Sequence, residues 1–417
     1  MKFTFILFCL GFLNIGFSQV IQEKEPPENI KTIVFKSENE TDQFPIVKLG
    51  QALQLSFDDL YADEMDYYYR IVYCNYDWTP SRLLKSQYLD GIDNQRISDY
   101  ANSITTLQPY TNYQLQLPNA QTKFKITGNY ILEITDSKGE PIFSRRFVVY
   151  KEAVQVGVAV KTAKEVKNFD RMQRLEITID APDFELVNPK QDVHVIMYQN
   201  GNFNHSIKDV TPQFISGNQL LYRYEKETSF EGGNEYLWFD TKEIRTASNS
   251  IAMVESKNRY YHYLYPDQIR NDQPYTYNPD INGDFRVRTI DAGATNSDRE
   301  ADYSFVYFSL PYTNEIGLDK IYVYGKFNNY QLTEENRLKI DHENQLLQTP
   351  ILLKQGFYNY KYVKMGDKNQ VVDYNFISGS HWETENNYTV LVYYREFGKT
   401  YDSVIGVGNA SSQTISN

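Results

Sequence analysis

Catalysis and metal binding need particular side chains at particular spacings, and this sequence offers few of them. Its five histidines are His194, His205, His262, His342 and His381. No two stand at i, i+2 or i, i+4, so a local zinc word is missing. G-x-S-x-G, Walker-type and dinucleotide-loop words are missing too. The nearest thing to a calcium loop is Asp280-Ile281-Asn282-Gly283-Asp284, with Asp291 beyond it. An EF-hand loop wants glycine sixth and glutamate twelfth. Here glycine is fourth, Phe285 sixth and Asp291 twelfth, so the segment reads as an Asx-type turn ahead of a strand. Two acidic pairs remain, and a glycosidase would hold such carboxyls roughly 5–10 Å apart. Asp58 and Asp59 are adjacent and point to opposite faces of a strand, while Glu383 and Glu385 lie in a loop-like stretch. No catalysis, cofactor, metal or small-molecule substrate is expected.

Aromatic residues are the other candidates. Val323 to Tyr330 (VYGKFNNY) and Leu353 to Tyr362 (LKQGFYNYKY) resemble the strand pattern of early-set sandwiches, a group that includes starch- and glycogen-binding modules. In those modules an aromatic after the F-N-x turn stacks on sugar, and Tyr330 occupies that position here. The same pattern also builds sandwich cores that bind nothing. Rings in turn-rich segments, Tyr110, Tyr275, Tyr277, Tyr330 and Trp382, are candidate contacts with a protein partner, since Tyr and Trp anchor such interfaces. Trp78 and Trp238 lie in or beside strands and are assigned to the cores.

Strands must position all of these. The counts of Tyr 36, Phe 24 and Trp 3 favour pleated surfaces. Tyr67–Tyr76 (YYYRIVYCNY) is apolar or aromatic on both faces and predicts a central, doubly covered strand. Asp136-Ser137-Lys138-Gly139 joins Tyr130–Thr135 to Ile142–Tyr150 as a hairpin. Thr79-Pro80-Ser81 predicts a short helix through Tyr88 with Thr79 as its cap. Short strands with turn signals between them predict an all-β, multidomain chain of consecutive β-sandwiches, immunoglobulin-like or early-set-like. The expected division is 19–150, 151–297 (with a connector from Pro266 to Ser297) and 298–408, then a disordered tail at 409–417.

Residues 1–18 read as a secretory signal peptide: Lys2, an apolar run from Phe3 to Phe17, then Gly16-Phe17-Ser18 before Gln19. Past it one cysteine remains, Cys74, which allows no internal disulfide and reads as a small buried hydrophobe. Beyond the leader no apolar run approaches the roughly 20 residues that span a bilayer. The net charge of −12 disfavours nucleic acid and anionic lipid as partners.

An ordered set of words then carries a resemblance over nearly the whole chain: Ser56-Phe57-Asp58-Asp59-Leu60, Tyr69-Arg70-Ile71, Cys74-Asn75, Asp77-Trp78, Leu89-Asp90-Gly91, Ile97-Ser98-Asp99-Tyr100, Gly128-Asn129-Tyr130, Gly233-Asn234-Glu235-Tyr236, Glu300-Ala301-Asp302-Tyr303, Glu383 to Tyr388, Tyr393-Tyr394-Arg395 and Tyr401-Asp402. Together they resemble the plug protein family of the type IX secretion system in Bacteroidetes. The chain departs from the family pattern at Tyr73, where histidine is expected, and at Thr127, where serine is expected. The resemblance implies a periplasmic protein at the inner face of the outer membrane. It would dock on the giant SprA-like translocon barrel and seal the periplasmic opening while no cargo is present, touching the membrane through that partner only. An exported carbohydrate-binding protein is the alternative. Size agrees with the plug: a barrel of about 36 strands is roughly 70 Å across. A compact chain of about 400 residues is roughly 55 Å wide.

Overall fold

The computed structural model describes residues 20–183, 185–290, 297–368 and 370–415. The expected signal peptide and Asp291 lie outside the described residues. The architecture is all-β, with three β-sandwich units.

The first unit packs two sheets. One runs Ile30–Ser37, Leu53–Asp59, Thr111–Leu117, Asp99–Asn102, and the other Ile46–Lys48, Pro141–Tyr150, Gly128–Thr135, Tyr68–Cys74, Gln95–Arg96. Period-two alternation drives this pairing. Leu53, Leu55 and Phe57 face Tyr69, Ile71, Tyr130, Leu132 and Phe147 in one core. The hairpin after Asp136 forms, with Gly139 in the left-handed region that closes its turn. Tyr68–Cys74 pairs along its whole length with Gly128–Thr135 and at Tyr68 and Tyr69 with the edge strand Gln95–Arg96, and Cys74, its last residue, is fully buried.

The second unit pairs Gln155–Thr162, Met172–Asp180, Gln219–Tyr222 and Phe214–Ser216 in one sheet, with Ser229–Glu231 beside Met172–Asp180. Its other sheet runs Ser206–Ile207, Val193–Gln199, Asn387–Tyr394, Ser403–Ser411. The third unit is built on Gly356–Met365, which pairs with Leu237–Asp240, Phe285–Val287, Lys320–Tyr324 and Val372–Asp373. Against it packs the sheet Ile251–Ser256, Tyr260–Leu264, Tyr303–Pro311, Leu346–Lys354, Lys339–Asp341. Phe239, Val306, Phe308, Tyr358, Tyr360 and Tyr362 fill the space between.

Pairing therefore divides the chain differently from the expected 151–297 and 298–408. Asn387–Tyr394 is in register with Val193–Gln199, from Val193 opposite Tyr394 to Gln199 opposite Tyr388. Leu237–Asp240 belongs with Gly356–Met365. The third unit is an insertion inside the second. Alternation along a strand names its buried face and not its partner, which is why consecutive blocks were expected.

Three local expectations are corrected. The stretch after Thr79 is helical only at Lys85–Tyr88. Thr79 does not cap it, because its hydroxyl and amide both donate to Asp77 Oδ1 (2.6 and 3.0 Å). The expected disordered tail begins instead as the end of strand Ser403–Ser411, and a 3-10 turn at Ser412–Thr414 follows. Ser412 is buried and donates through its hydroxyl to the Thr384 carbonyl at 2.8 Å. Trp238 is half-buried on a sheet face beside Phe357 rather than in a core, whereas Trp78 is buried under the Arg146 guanidinium, 4.8 Å from its ring centroid.

Candidate functional site

The outer faces of the sheets decide what this body can touch, because its inner faces are spent on cores. In Leu53–Asp59 the outward residues should be wet, yet Asp58 is fully buried. The inserted unit covers it. Lys354 Nζ reaches Asp58 Oδ2 at 2.6 Å, Tyr303 donates its hydroxyl to the same oxygen at 2.6 Å, and Asn112 Nδ2 donates to Oδ1 at 2.7 Å. The Lys354 ammonium also donates to the Asp298 carbonyl at 2.7 Å and lies 4.1 Å from the Tyr110 ring centroid. Burial pushes the Asp58 carboxyl up while the ammonium holds it down. Asp59, by contrast, accepts from Tyr67 and Asn29 within its own unit, so the two carboxylates serve structure on separate sides.

A second joint ties the first unit to the second. Ile131 and Val148 on the outer sheet face pack against Ile196, Leu391 and Tyr393. Tyr73 donates its hydroxyl to the carbonyls of Asp402 (2.6 Å) and Thr127 (3.0 Å), and Tyr393 donates to Asn129 Oδ1 at 2.7 Å. Gly128 is required here. It has φ +152, and a Cβ would stand 2.2 Å from the Tyr73 hydroxyl. Buried polar bonds across both joints hold the three units as one body.

Among the described residues, one large outer face is left without a cover. On the sheet of the inserted unit, Met253, Tyr263, Tyr307 and Pro350 lie in register across four strands, and Glu255, Tyr261, Phe305 and Leu352 form the next row. Tyr263 stacks on Tyr307 at 4.5 Å between ring centroids, and Tyr261 on Phe305 at 5.7 Å. Arg259 lies over Phe305 and Lys257 over Tyr261. The four rings are half-buried, Met253 is 46% exposed, and Pro350 is exposed. The face continues the Asp58 joint, since Tyr303 stands two residues before Phe305 on the same side. The sequence signal was available: period-two aromatics in Tyr260–Leu264 (YYHYL) and Tyr303–Pro311 (YSFVYFSLP). The turn-rich segments do not carry that signal.

The five expected contact rings divide. Tyr110 has 0% exposure and donates its hydroxyl to the Ala301 carbonyl at 2.8 Å, so it is part of the Asp58 joint. Tyr330 has 6% exposure and packs on Tyr324, 5.1 Å between centroids. Neither presents a docking surface, and Tyr330 does not offer a sugar-stacking platform. Contacts distant in sequence, invisible in the local turn pattern, bury both: Tyr110 under the inserted unit, and Tyr330 against Tyr324 and Val363 of its own unit. Tyr275 and Trp382 do come together, in a cleft of about 610 Å³ that Arg171, Phe376 and His381 also line. Tyr275 donates to Glu235 Oε1 at 2.5 Å. Tyr277 is 56% exposed nearby, and its hydroxyl donates to Glu385 Oε2 at 3.4 Å.

Asp280 takes the Asx-turn role, accepting from the amides of Tyr236 (2.5 Å) and Asn282 (2.6 Å). Burial pushes its carboxyl up to about 7. Burial likewise pushes the Cys74 thiol up to about 12, which keeps it protonated and unreactive. Among the described residues no group of three or more His, Cys, Asp or Glu is placed to hold a metal ion, and no helix is long and apolar enough to cross a membrane.

Comparison with known proteins adds the family. The model of the type 9 secretion system plug protein 1st domain matches residues 30–151, which is the first sandwich. Among solved structures, the chain is similar to a hypothetical protein from Parabacteroides merdae. The two are 30% identical, the match covers 93% of this chain and 98% of that one, and the TM-score is 0.88. No curated protein matches. The sandwich that carries most of the ordered words is thus the one the family model describes, and the chain belongs to the type IX secretion system plug protein family.

Proposed function

We propose that this protein is a periplasmic plug that docks on the outer-membrane translocon barrel of the type IX secretion system and seals its periplasmic opening when no cargo is present. The observation that carries the reading is the match of residues 30–151 to the first domain of plug proteins. The physical construction supports it. A stopper works by occupying space, so it needs rigidity rather than a reactive group. Buried polar bonds at both joints, Asp58 with Lys354 and Tyr73 with Asp402, supply that rigidity. The docking face is the uncovered aromatic sheet of Tyr261, Tyr263, Phe305 and Tyr307, with Tyr275, Tyr277 and Trp382 as a second contact region. Half-buried rings rimmed by Arg259, Lys257 and Glu255 have the make-up of a reversible interface. Such an interface must release when cargo arrives.

Affinity capture of the tagged protein from solubilised outer membranes tests the docking. Co-purification of a very large barrel is the expected result. Cells lacking the protein should admit bulky antibiotics through the unoccupied translocon. Unchanged permeability, with the translocon verified as present and empty, would refute sealing. Capture should weaken in Tyr263→Ser/Tyr307→Ser. Undiminished capture by that variant moves the docking face elsewhere. Retention on polysaccharide with no barrel captured would restore the sugar-binding alternative, which the burial of Tyr330 disfavours.

A further inference from the structure

Between the second sandwich and the inserted unit lies a cavity of about 250 Å³, separate from the aromatic sheet and from the Trp382 cleft. Gln199, Asn202 and His205 line it from the sandwich, and Tyr324, Lys361 and Tyr374 from the inserted unit. Lys361 is unlike its neighbours. Its ammonium stands 5.4, 5.7 and 5.8 Å from the ring centroids of Tyr236, Tyr324 and Tyr374. Among the described residues no oxygen accepts a hydrogen bond from it and no carboxylate pairs with it. The Tyr374 hydroxyl is also without a hydrogen-bond partner among them.

Ring faces attract a cation but leave its three N–H donors unused. The lysine is half-buried, and its ammonium faces the cavity, where the surrounding protein groups give it no acceptor. Glu231 lines the same cavity, but Arg171 donates to its Oε1 at 3.0 Å and Asn375 Nδ2 donates to its Oε2. The other charged groups felt by Lys361 are Asp373, which favours its charge, and Arg270, which opposes it. His205 stacks on Tyr374 and is held neutral by burial. Desolvation outweighs these and pushes the lysine down to about 8. A cationic ligand is excluded, because Lys361 already fills the aromatic cage. A sugar chain or a helix does not fit the volume. A compact anion with paired oxygens does, and the low-dielectric walls would strengthen its bond to the ammonium.

We propose that this cavity is a binding site for a small carboxylate, held by the Lys361 ammonium and the Tyr374 hydroxyl. The carboxylate belongs either to a free acid or to an acidic side chain of a partner protein. Isothermal titration calorimetry of the mature chain with acetate and with glutarate, against chloride at matched ionic strength, tests the site. An acetylated, amidated Gly-Glu-Gly peptide forms the second arm. Saturable heat is expected from at least one carboxylate probe and none from chloride. Near pH 8 the heat should vary with the ionisation enthalpy of the buffer, because pairing restores the lysine's proton. Lys361→Met should weaken binding by about tenfold or more and abolish that buffer dependence. Tyr374→Phe, which removes one hydroxyl only, should weaken it about threefold to tenfold and serves if the lysine variant does not fold. Binding of the free acids alone assigns the site to a small acid, and binding of the peptide as well assigns it to a side chain. No saturable heat from any carboxylate probe, or unchanged binding in the variants that fold, overturns the proposal.

Discussion

Replacing Lys354 with methionine should cost about 3–5 kcal/mol of stability, the range for stranding one member of a buried ion pair. The site explains why the figure belongs there. The side chains of Asp58 and Lys354 are 0% and 1% exposed, and their charged atoms lie 2.6 Å apart. Methionine fills much of the same volume, so the loss is chiefly electrostatic. Asp58 would keep the Tyr303 hydroxyl and Asn112 Nδ2 as donors but lose the Lys354 ammonium. Asp58→Asn/Lys354→Met removes both charges and should recover most of the deficit, to within about 1–2 kcal/mol of the parent. The deficit in the single variant should also depend on pH. Its folded-state carboxyl lies further above the unfolded value, so the folded chain holds a proton that the unfolded chain releases. Stability therefore falls as pH rises through that window and returns as pH falls. Urea unfolding followed by tryptophan fluorescence at several pH values measures this. Hydrogen exchange should report loosening at Leu53–Asp59 and Leu346–Lys354 together, since the pair joins two units. A cost under about 1 kcal/mol would refute the reasoning, as would a double variant no better than the single one.

Further outcomes follow from the same contacts. Tyr73→Phe strands the Asp402 carbonyl at the joint of the first and second units and should cost about 1–3 kcal/mol in thermal or urea unfolding; a neutral result would mean the hydroxyl does not bind the units. Gly128→Ala drives a Cβ into the Tyr73 ring and should destabilise by about 2 kcal/mol or more, with Tyr73→Ala restoring part of the loss. Burial pushes Lys361 down to about 8 in the folded chain from an ordinary lysine value of 10.5, so the unfolded state holds the extra proton between those values. Its contribution to stability should rise with pH across that interval, and Lys361→Met should flatten the profile measured by thermal melts. Trp382→Ala should change stability by under about 1 kcal/mol yet weaken barrel capture severalfold; full capture would remove the cleft from the interface.

The first sandwich was the most legible part of the chain. Its alternation at Leu53, Leu55 and Phe57 and its hairpin at Asp136 to Gly139 are local signals, and local geometry sets both faces and register there. The later units were legible as strands but not as units. Val193–Gln199 finds its partner almost two hundred residues onward, and nothing in its own residues announces Asn387–Tyr394. The candidate contacts show the same division. Tyr277 is as exposed as its turn-rich setting implies, but Tyr110, beside Pro109, is sealed by Lys354 and Ala301 from another unit. Tyr263 and Tyr307 look like ordinary strand residues until the sheet is assembled and their face is found open.

The interleaved connectivity has a consequence for biogenesis. As the polypeptide emerges from its amino end, the first sandwich has all its strands by Tyr150, and the inserted unit by Asp373. The middle sandwich must wait for Ser403–Ser411, and those closing residues also bring Asp402 to Tyr73. Asp402 and the strand after it are thus the latch for two units at once. A nascent chain interrupted before it would carry two finished ends around an unfinished centre. Emergence of Ser403–Ser411, rather than of any earlier unit, becomes the checkpoint for a rigid product.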